Sequence, residues 1–153
     1  MKLGIIKLFL FLFIASCGFK VVEKTANYKI LEIYTEGDKK INFIIKNNLL
    51  LNSNIENSNL INLTINTNKK KAIKERNISN QITKYEITIV AQVKYEQIKN
   101  NSSGEFVLSR NGSYDVGDRH SETLNSERNL INLMVDDISD NITEELTNIL
   151  NDL

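Results

Sequence analysis

Residues 84–95 read KYEITIVAQVKY. Tyr85, Ile87, Ile89, Ala91, Val93 and Tyr95 fall on one side of an extended chain. Lys84, Glu86, Thr88, Gln92 and Lys94 fall on the other, with Val90 the exception. A period of two held over this length is the pattern of a strand with one face on a core and one toward water. NNSSGE, residues 100–105, turns the chain. EFVLSRNGSY, residues 105–114, then reads as a returning strand, with Gly112 a candidate bulge. The two make a hairpin.

The segments on either side extend the pattern. LINLTINT, residues 60–67, alternates Ile61, Leu63 and Ile65 with Asn62, Thr64 and Asn66, which predicts a half-buried strand running into a basic stretch. YKILEIY, residues 28–34, is β-rich and reads as a strand that Gly37-Asp38 interrupts. Asp38 suits a helix N-cap, and Ile41, Phe43, Ile44, Ile45, Leu49 and Leu50 follow at near-helical spacing, which predicts a helix over 39–51. NSNIENSN, residues 52–59, reads as loop, because Asn and Ser side chains compete for backbone hydrogen bonds. From His120 onward the period becomes helical. Leu124, Glu127, Ile131, Met134, Ile138, Ile142, Leu146, Ile149 and Leu153 recur every three or four residues, which predicts an amphipathic helix over about 122–151. The order β-α-β-β-β-α, with one apolar face per element, predicts an α+β fold. It is a two-layer sandwich, a four-stranded, mostly antiparallel sheet with two helices on one face. Residues 28–153 form its single domain, and the other sheet face is polar enough to meet water or a partner.

The N-terminus, MKLGIIKLFLFLFIASCGFKVV, has a different character. Lys2 and Lys7 precede an apolar run, 8–15, which is far short of the roughly 20 residues that span a bilayer. A charged start, a short apolar run and small residues at its end describe a secretory signal peptide. Ile14-Ala15-Ser16-Cys17 resembles a bacterial lipobox. That resemblance implies cleavage after Ser16, lipidation of Cys17 and a tether over 17–27. Cys17 is the one cysteine, so no internal disulfide can form. Gly18 is not the aspartate of an inner-membrane retention signal, which favours the outer membrane.

Removing residues 1–16 from the 153 would leave 137, enough for one domain, with 17 basic and 19 acidic residues and a net charge of −2. That balance argues against nucleic-acid binding. The chain has 22 asparagines, 21 isoleucines and no proline, a drift that empties single asparagines, and the Asn-x-Ser/Thr triplets, of information. Charge is unevenly placed. KKKAIKER, residues 69–76, gathers Lys69, Lys70, Lys71, Lys74 and Arg76 against Glu75 alone, while 115–153 hold ten acids against Arg119 and Arg128. The basic run reads either as a solvated strand end and loop or as a contact for anionic phosphates or an acidic wall. Alternation puts Lys69 and Lys71 on one side and Lys70 and Lys74 on the other, so the five cannot share one ligand.

Catalytic chemistry is not visible. Asp118, His120 and Ser121 are too close in sequence to converge on one reacting centre. Asp136 and Asp137 diverge by about 100° on a helix and make no acid–base pair. No His/Cys set has zinc spacing and no glycine-rich loop precedes a helix, so no metal or cofactor is expected.

These features together resemble the LPS-assembly lipoproteins of the LptE family. The resemblance rests on CGFKV at 17–21, the strand and short helix at 28–51, the long hairpin at 85–114 and the final helix at 124–150. The sequence departs from the family in being shorter and Asn-rich between its second and third strands. The resemblance implies a lipoprotein on the periplasmic face of the outer membrane, seated in the lumen of a large β-barrel, that helps deliver lipopolysaccharide to the outer leaflet. Another accessory lipoprotein is the second reading, either a secretin pilot or a subunit of a barrel-assembly or lipid-trafficking machine. A periplasmic inhibitor or small enzyme is the third.

Overall fold

The computed structural model describes residues 26–53 and 59–151. The expected signal peptide, Cys17 and most of the tether lie outside the described residues. The elements are β1 (Lys29–Gly37), α1 (Lys39–Asn52), β2 (Leu60–Arg76), β3 (Ile82–Gln97), β4 (Ser102–Asp115) and α2 (His120–Asn151). The sheet order is β1-β2-β3-β4. β1 and β2 are parallel, joined through α1, and the other two pairings are antiparallel. The β-α-β-β-β-α order, the mixed sheet and the α+β class match the sequence expectation.

Strand parity builds the core. Ile61, Leu63 and Ile65 of β2 and Ile87, Ile89, Ala91 and Val93 of β3 are buried, as the alternation predicts. α1 adds Ile41, Ile45 and Leu49, and α2 adds Ile131, Met134, Val135, Ile138, Ile142, Leu146 and Leu150. The expected α2 stripe is thus borne out from Ile131 to Leu146; Leu124 is exposed, Leu150 rather than Ile149 turns inward, and Leu153 lies outside the described residues. α2 begins two residues before the expected start at 122, because the Glu122 carboxylate accepts the Arg119 N–H (3.4 Å) and draws the first turn closed. Ser139, fully buried, returns its hydroxyl to Val135 O (2.8 Å), and Asn48 of α1 donates to Asp136 Oδ1 (3.0 Å). Asp137 instead pairs with Arg110 of β4, so the two neighbouring carboxylates serve different elements.

Three local expectations change. Gly112 is no bulge, since β3 and β4 stay in register from Lys84↔Asp115 to Gln97↔Ser102. A Cβ at 112 would stand 2.7 Å from Leu130 Cδ1, so the glycine makes room for α2. The irregularities fall instead in β1, between Ile30 and Glu32, and near the end of β2. The first lets Ile30 and Ile33, three apart, both reach the core. In α1, Phe43 and Leu50 of the expected stripe face outward.

The N-terminal side of the domain is tied down early. Ala26 is buried and donates its N–H to Asn52 O (3.3 Å). Tyr28 is fully buried and its hydroxyl has no well-formed hydrogen bond among the described residues. Burial pushes that hydroxyl up to about 12, and Thr143, whose own hydroxyl bonds to Ser139 O (3.1 Å), offsets only part of the effect. Among the described residues no helix is long and apolar enough to cross a membrane.

Ile138 is fully buried whereas Asp140, two residues on, is exposed. Ile138→Asp would place a carboxylate without a partner in the core, and the cost of several kcal/mol is of the order of a whole domain's stability. Thermal denaturation should show Ile138→Asp unfolded or severely destabilised and Asp140→Lys within about 0.5 kcal/mol of the parent.

Candidate functional site on the basic hairpin

β1 leaves the sheet at Gly37, the partner of Thr67. Asp38 N–H still reaches Thr67 O (3.2 Å), and the Asp38 carboxylate then caps α1 through Lys40 N (3.0 Å) and Ile41 N (3.1 Å). β2 continues for nine more residues. Among the described residues, 68–76 have β3 on one side and no strand on the other. KKKAIKER is therefore strand to its end and not loop, paired with β3 from Lys69↔Ile89 to Arg76↔Ile82. Lysines along an uncovered strand edge also discourage another chain from pairing there.

Parity then divides the five cations, as the sequence predicts. Lys69 and Lys71 share the helix-side face with Ile65 and Thr67. Lys69 Nζ lies 3.4 Å from Asp38 Oδ2. Lys71 Nζ lies 2.6 Å from Glu127 Oε2 of α2, 4.3 Å from the Tyr85 ring centroid and 5.3 Å from that of Tyr114. Tyr85 and Tyr114, directly opposed in β3 and β4, stack with centroids 5.7 Å apart, and Tyr114 Oη donates to Glu127 Oε2 (2.7 Å). Burial acts against charge on both Lys71 and Glu127. Burial is the largest single influence on each, but their mutual hydrogen bond, the hydrogen bonds to Tyr114 and the attraction of opposite charges together outweigh it, holding the ammonium above and the carboxyl below their ordinary values. Lys69 and Lys71 are thus engaged in fastening β2 to α1 and α2.

Lys70, Lys74 and Arg76 stand on or near the open face. No described carboxylate lies within ion-pair reach of Lys70 or Arg76. Lys74 Nζ crosses the open face to Glu86 Oε1 (3.2 Å) and Ser113 Oγ (3.4 Å). Arg76 spends one N–H on Asn80 O (2.8 Å), leaving the rest of its fork available.

The turn that closes this hairpin was not singled out by sequence reasoning. Asn77 organises it: its Oδ1 accepts from Ser79 N (3.0 Å) and Gln81 N (2.9 Å), and its Nδ2 donates to Gln81 Oε1 (3.0 Å). Asn80 takes the left-handed conformation (φ 61°) that asparagine tolerates. The result is a preformed tip that holds Ile78 fully exposed. The signal for it was NISNQ between two strands, a cluster of Asx-turn formers around one isoleucine.

The remaining sequence candidates stay apart. His120 is exposed at the start of α2, and no hydrogen bond joins it to Asp118 or Ser121. Among the described residues no three His, Cys, Asp or Glu gather as a metal site. A cleft of about 200 Å³ between Asp38, Lys69, Leu124, Glu127 and Arg128 is open and smaller than the roughly 300–1,000 Å³ of small-molecule sites. The geometry offers cations along an edge and an apolar tip, which together form an exposed contact surface.

Glu127 makes the fastening of the hairpin pH-dependent. A carboxyl depressed in the folded state gives its full contribution above its unfolded value, about 4.3, and loses it as pH falls through the lower folded value. Wild type should therefore lose stability across that acid window faster than Glu127→Gln, which should be destabilised at pH 7 by about 1 kcal/mol because the pair is partly exposed. Denaturant midpoints for both proteins between pH 7 and 3 check this.

No family model and no curated protein sequence matches the chain. Solved structures do match its fold. Rare lipoprotein B from Shewanella oneidensis is similar at TM-score 0.59 and 13% identity, over 80% of this chain and 98% of that one. Uncharacterized lipoprotein B from Nitrosomonas europaea is similar at TM-score 0.57 and 13% identity, over 88% of this chain and 94% of that one. The chain has the fold of these lipoproteins.

Proposed function

We propose that the protein is an outer-membrane lipoprotein, anchored through Cys17, that seats in a large β-barrel and assists lipopolysaccharide assembly at the outer leaflet. The observation that carries this reading is a lipobox-like Ile14-Ala15-Ser16-Cys17 ahead of a domain with the fold of lipoproteins named above. Its role is binding, with no catalytic step.

The proportions of the domain support it. Ala26, where the tether joins, sits against the end of α1 near the first residues of β2. The tip at 77–81 lies beyond the last. β2 has 17 residues, and at about 3.3 Å each it separates the two ends by roughly 55 Å. A bilayer is about 40–45 Å thick with its headgroups. A domain whose base is held at the periplasmic leaflet is therefore long enough, inside a barrel, to bring Lys70, Lys74, Arg76 and Ile78 to the opposite leaflet. There the cations meet the anionic phosphates of lipopolysaccharide. Lysine acts as a point charge and the free fork of Arg76 can bind a phosphate bidentately.

Two experiments test this. Cys17→Ser should leave the precursor uncleaved or the protein released from membranes, since anchoring comes from about 0.8 kcal/mol per buried methylene of the acyl chains. Cleavage after Ser16 and membrane retention in the variant, without a barrel partner, would refute the anchor. Lys70→Ala/Lys74→Ala/Arg76→Ala should fold normally, because exposed charges contribute little to stability. It should bind lipopolysaccharide more weakly and with less salt dependence. Co-purification from membranes identifies the partner. A barrel of the lipopolysaccharide-transport type supports the reading, and a secretin or a barrel-assembly complex replaces it.

A further inference from the structure

α1 carries a second surface that the basic hairpin does not explain. Its inner face is formed by Ile41, Ile45 and Leu49. Its outer face presents Phe43, Lys46, Asn47, Leu50 and Leu51, at the i, i+3, i+4, i+7, i+8 spacing of one helix side. Phe43 is 67% exposed and Leu51 83%. The helix holds Lys39, Lys40 and Lys46 and no acidic residue, and none of the three lysines pairs with a described carboxylate. Leu50 and Lys46 continue onto the edge strand, where Leu31 and Tyr34 line a shallow depression with them. Glu32, also at its rim, is occupied in accepting the Tyr34 hydroxyl. Large apolar side chains flanked by lysines on one helix face are the composition of a helix that lies in a membrane interface.

The position of the tether says which surface covers it. Ala26 bonds to Asn52 O, beside Leu50 and Leu51. Cys17 is nine steps along the chain from Ala26, so a lipidated Cys17 lies at most roughly 30 Å from that end of α1. We infer that, before the domain enters its barrel, the outer face of α1 rests on the phospholipid leaflet that holds the Cys17 acyl chains. Phe43, Leu50 and Leu51 then sit among the upper acyl carbons, and Lys39, Lys40 and Lys46 meet anionic headgroups. The inference rests on the proposed anchor for the proximity of the leaflet and on α1 alone for the contact. It gives the free lipoprotein cover for an apolar face that water would otherwise meet, and a fixed posture, lying down, from which it must rise to seat in a partner.

The chain contains no tryptophan, so a single introduced one reports its own surroundings. Full-chain Phe43→Trp is reconstituted into phosphatidylethanolamine/phosphatidylglycerol vesicles with plain or brominated acyl chains. Val107→Trp, on the exposed open face of β4, is the control, and Leu51→Trp repeats the measurement should the Phe43 variant fold poorly. Mass spectrometry of the same preparation reads acylation of Cys17. The expected result is blue-shifted emission and several-fold stronger bromine quenching for Trp at 43 or 51 than at 107, reduced by Lys39→Gln/Lys40→Gln/Lys46→Gln. Equal or absent quenching overturns the inference. So does a blue shift without quenching, which would mean that a second copy of the chain covers the face. Absent quenching with Cys17 acylated leaves the anchor standing, whereas quenching with Cys17 unmodified upholds the α1 contact and removes the anchor.

Discussion

At Gly37 the chain passes so close to Thr67 that a Cβ would stand 1.9 Å from the Thr67 carbonyl oxygen, with φ at +94°. Only glycine meets both conditions. Around it, Asn42 accepts from Thr67 Oγ1 (2.8 Å) and donates to Glu36 O (2.8 Å), so the buried polar groups of the crossing satisfy one another. Much follows from this reversal. β1 ends, Asp38 starts α1, and β2 must go on without its outer neighbour. The basic edge exists because one strand is stopped nine residues before the next. A longer β1 would cover residues 68–76 and leave no exposed row of lysines for a ligand to meet.

The same geometry separates structural cations from available ones. Lys69 and Lys71 point toward the helices, where Asp38 and Glu127 are within 3.4 and 2.6 Å. Lys71 also stands over two aromatic faces, a cation–π arrangement that a partly desolvated ammonium strengthens. These two hold the protruding hairpin at a fixed angle to the body. Lys70, Lys74 and Arg76 face away and are carried by it. Neutralising Lys71 would therefore loosen the hairpin's base, and any fall in ligand binding would come from lost positioning rather than a lost contact.

The fold was legible where one periodicity ran long enough to exclude the other. β3 alternates through Tyr85 to Tyr95, and α2 repeats from Ile131 to Leu146. Burial follows the sequence in both. α1 was legible as a helix but not in its orientation, because apolar residues lie on two faces and periodicity does not say which one meets the sheet. KKKAIKER looked half like loop because lysine is a poor strand former. Pairing with β3 overrode that preference, as tertiary context does in sheets. The partners of the basic run could not be read at all. Glu127 is 56 residues from Lys71, and nothing local marks it as a counter-ion. Gly112 was misread for a similar reason: its cause is Leu130 on another element.

The molecule is polarised along its length in a way that composition hides. The exposed apolar side chains of α1 and Ala26, the first described residue, share one end, while Lys70, Arg76 and the preformed Ile78 tip occupy the other. Near-zero net charge describes neither end. An ordered tip has already lost the conformational freedom that a floppy loop would surrender on binding, so its contacts convert more fully into affinity. An exposed apolar helix face has the opposite character: it is unfavourable in water at every moment and favours whatever surface lies nearest. Under the proposed anchor the tether would fix that surface for the α1 end, and the length of β2 sets how far the tip stands from it. On the proposed reading the two ends would act in order, with the base held first by proximity and the tip engaging afterwards, once a partner has lifted the domain from the surface.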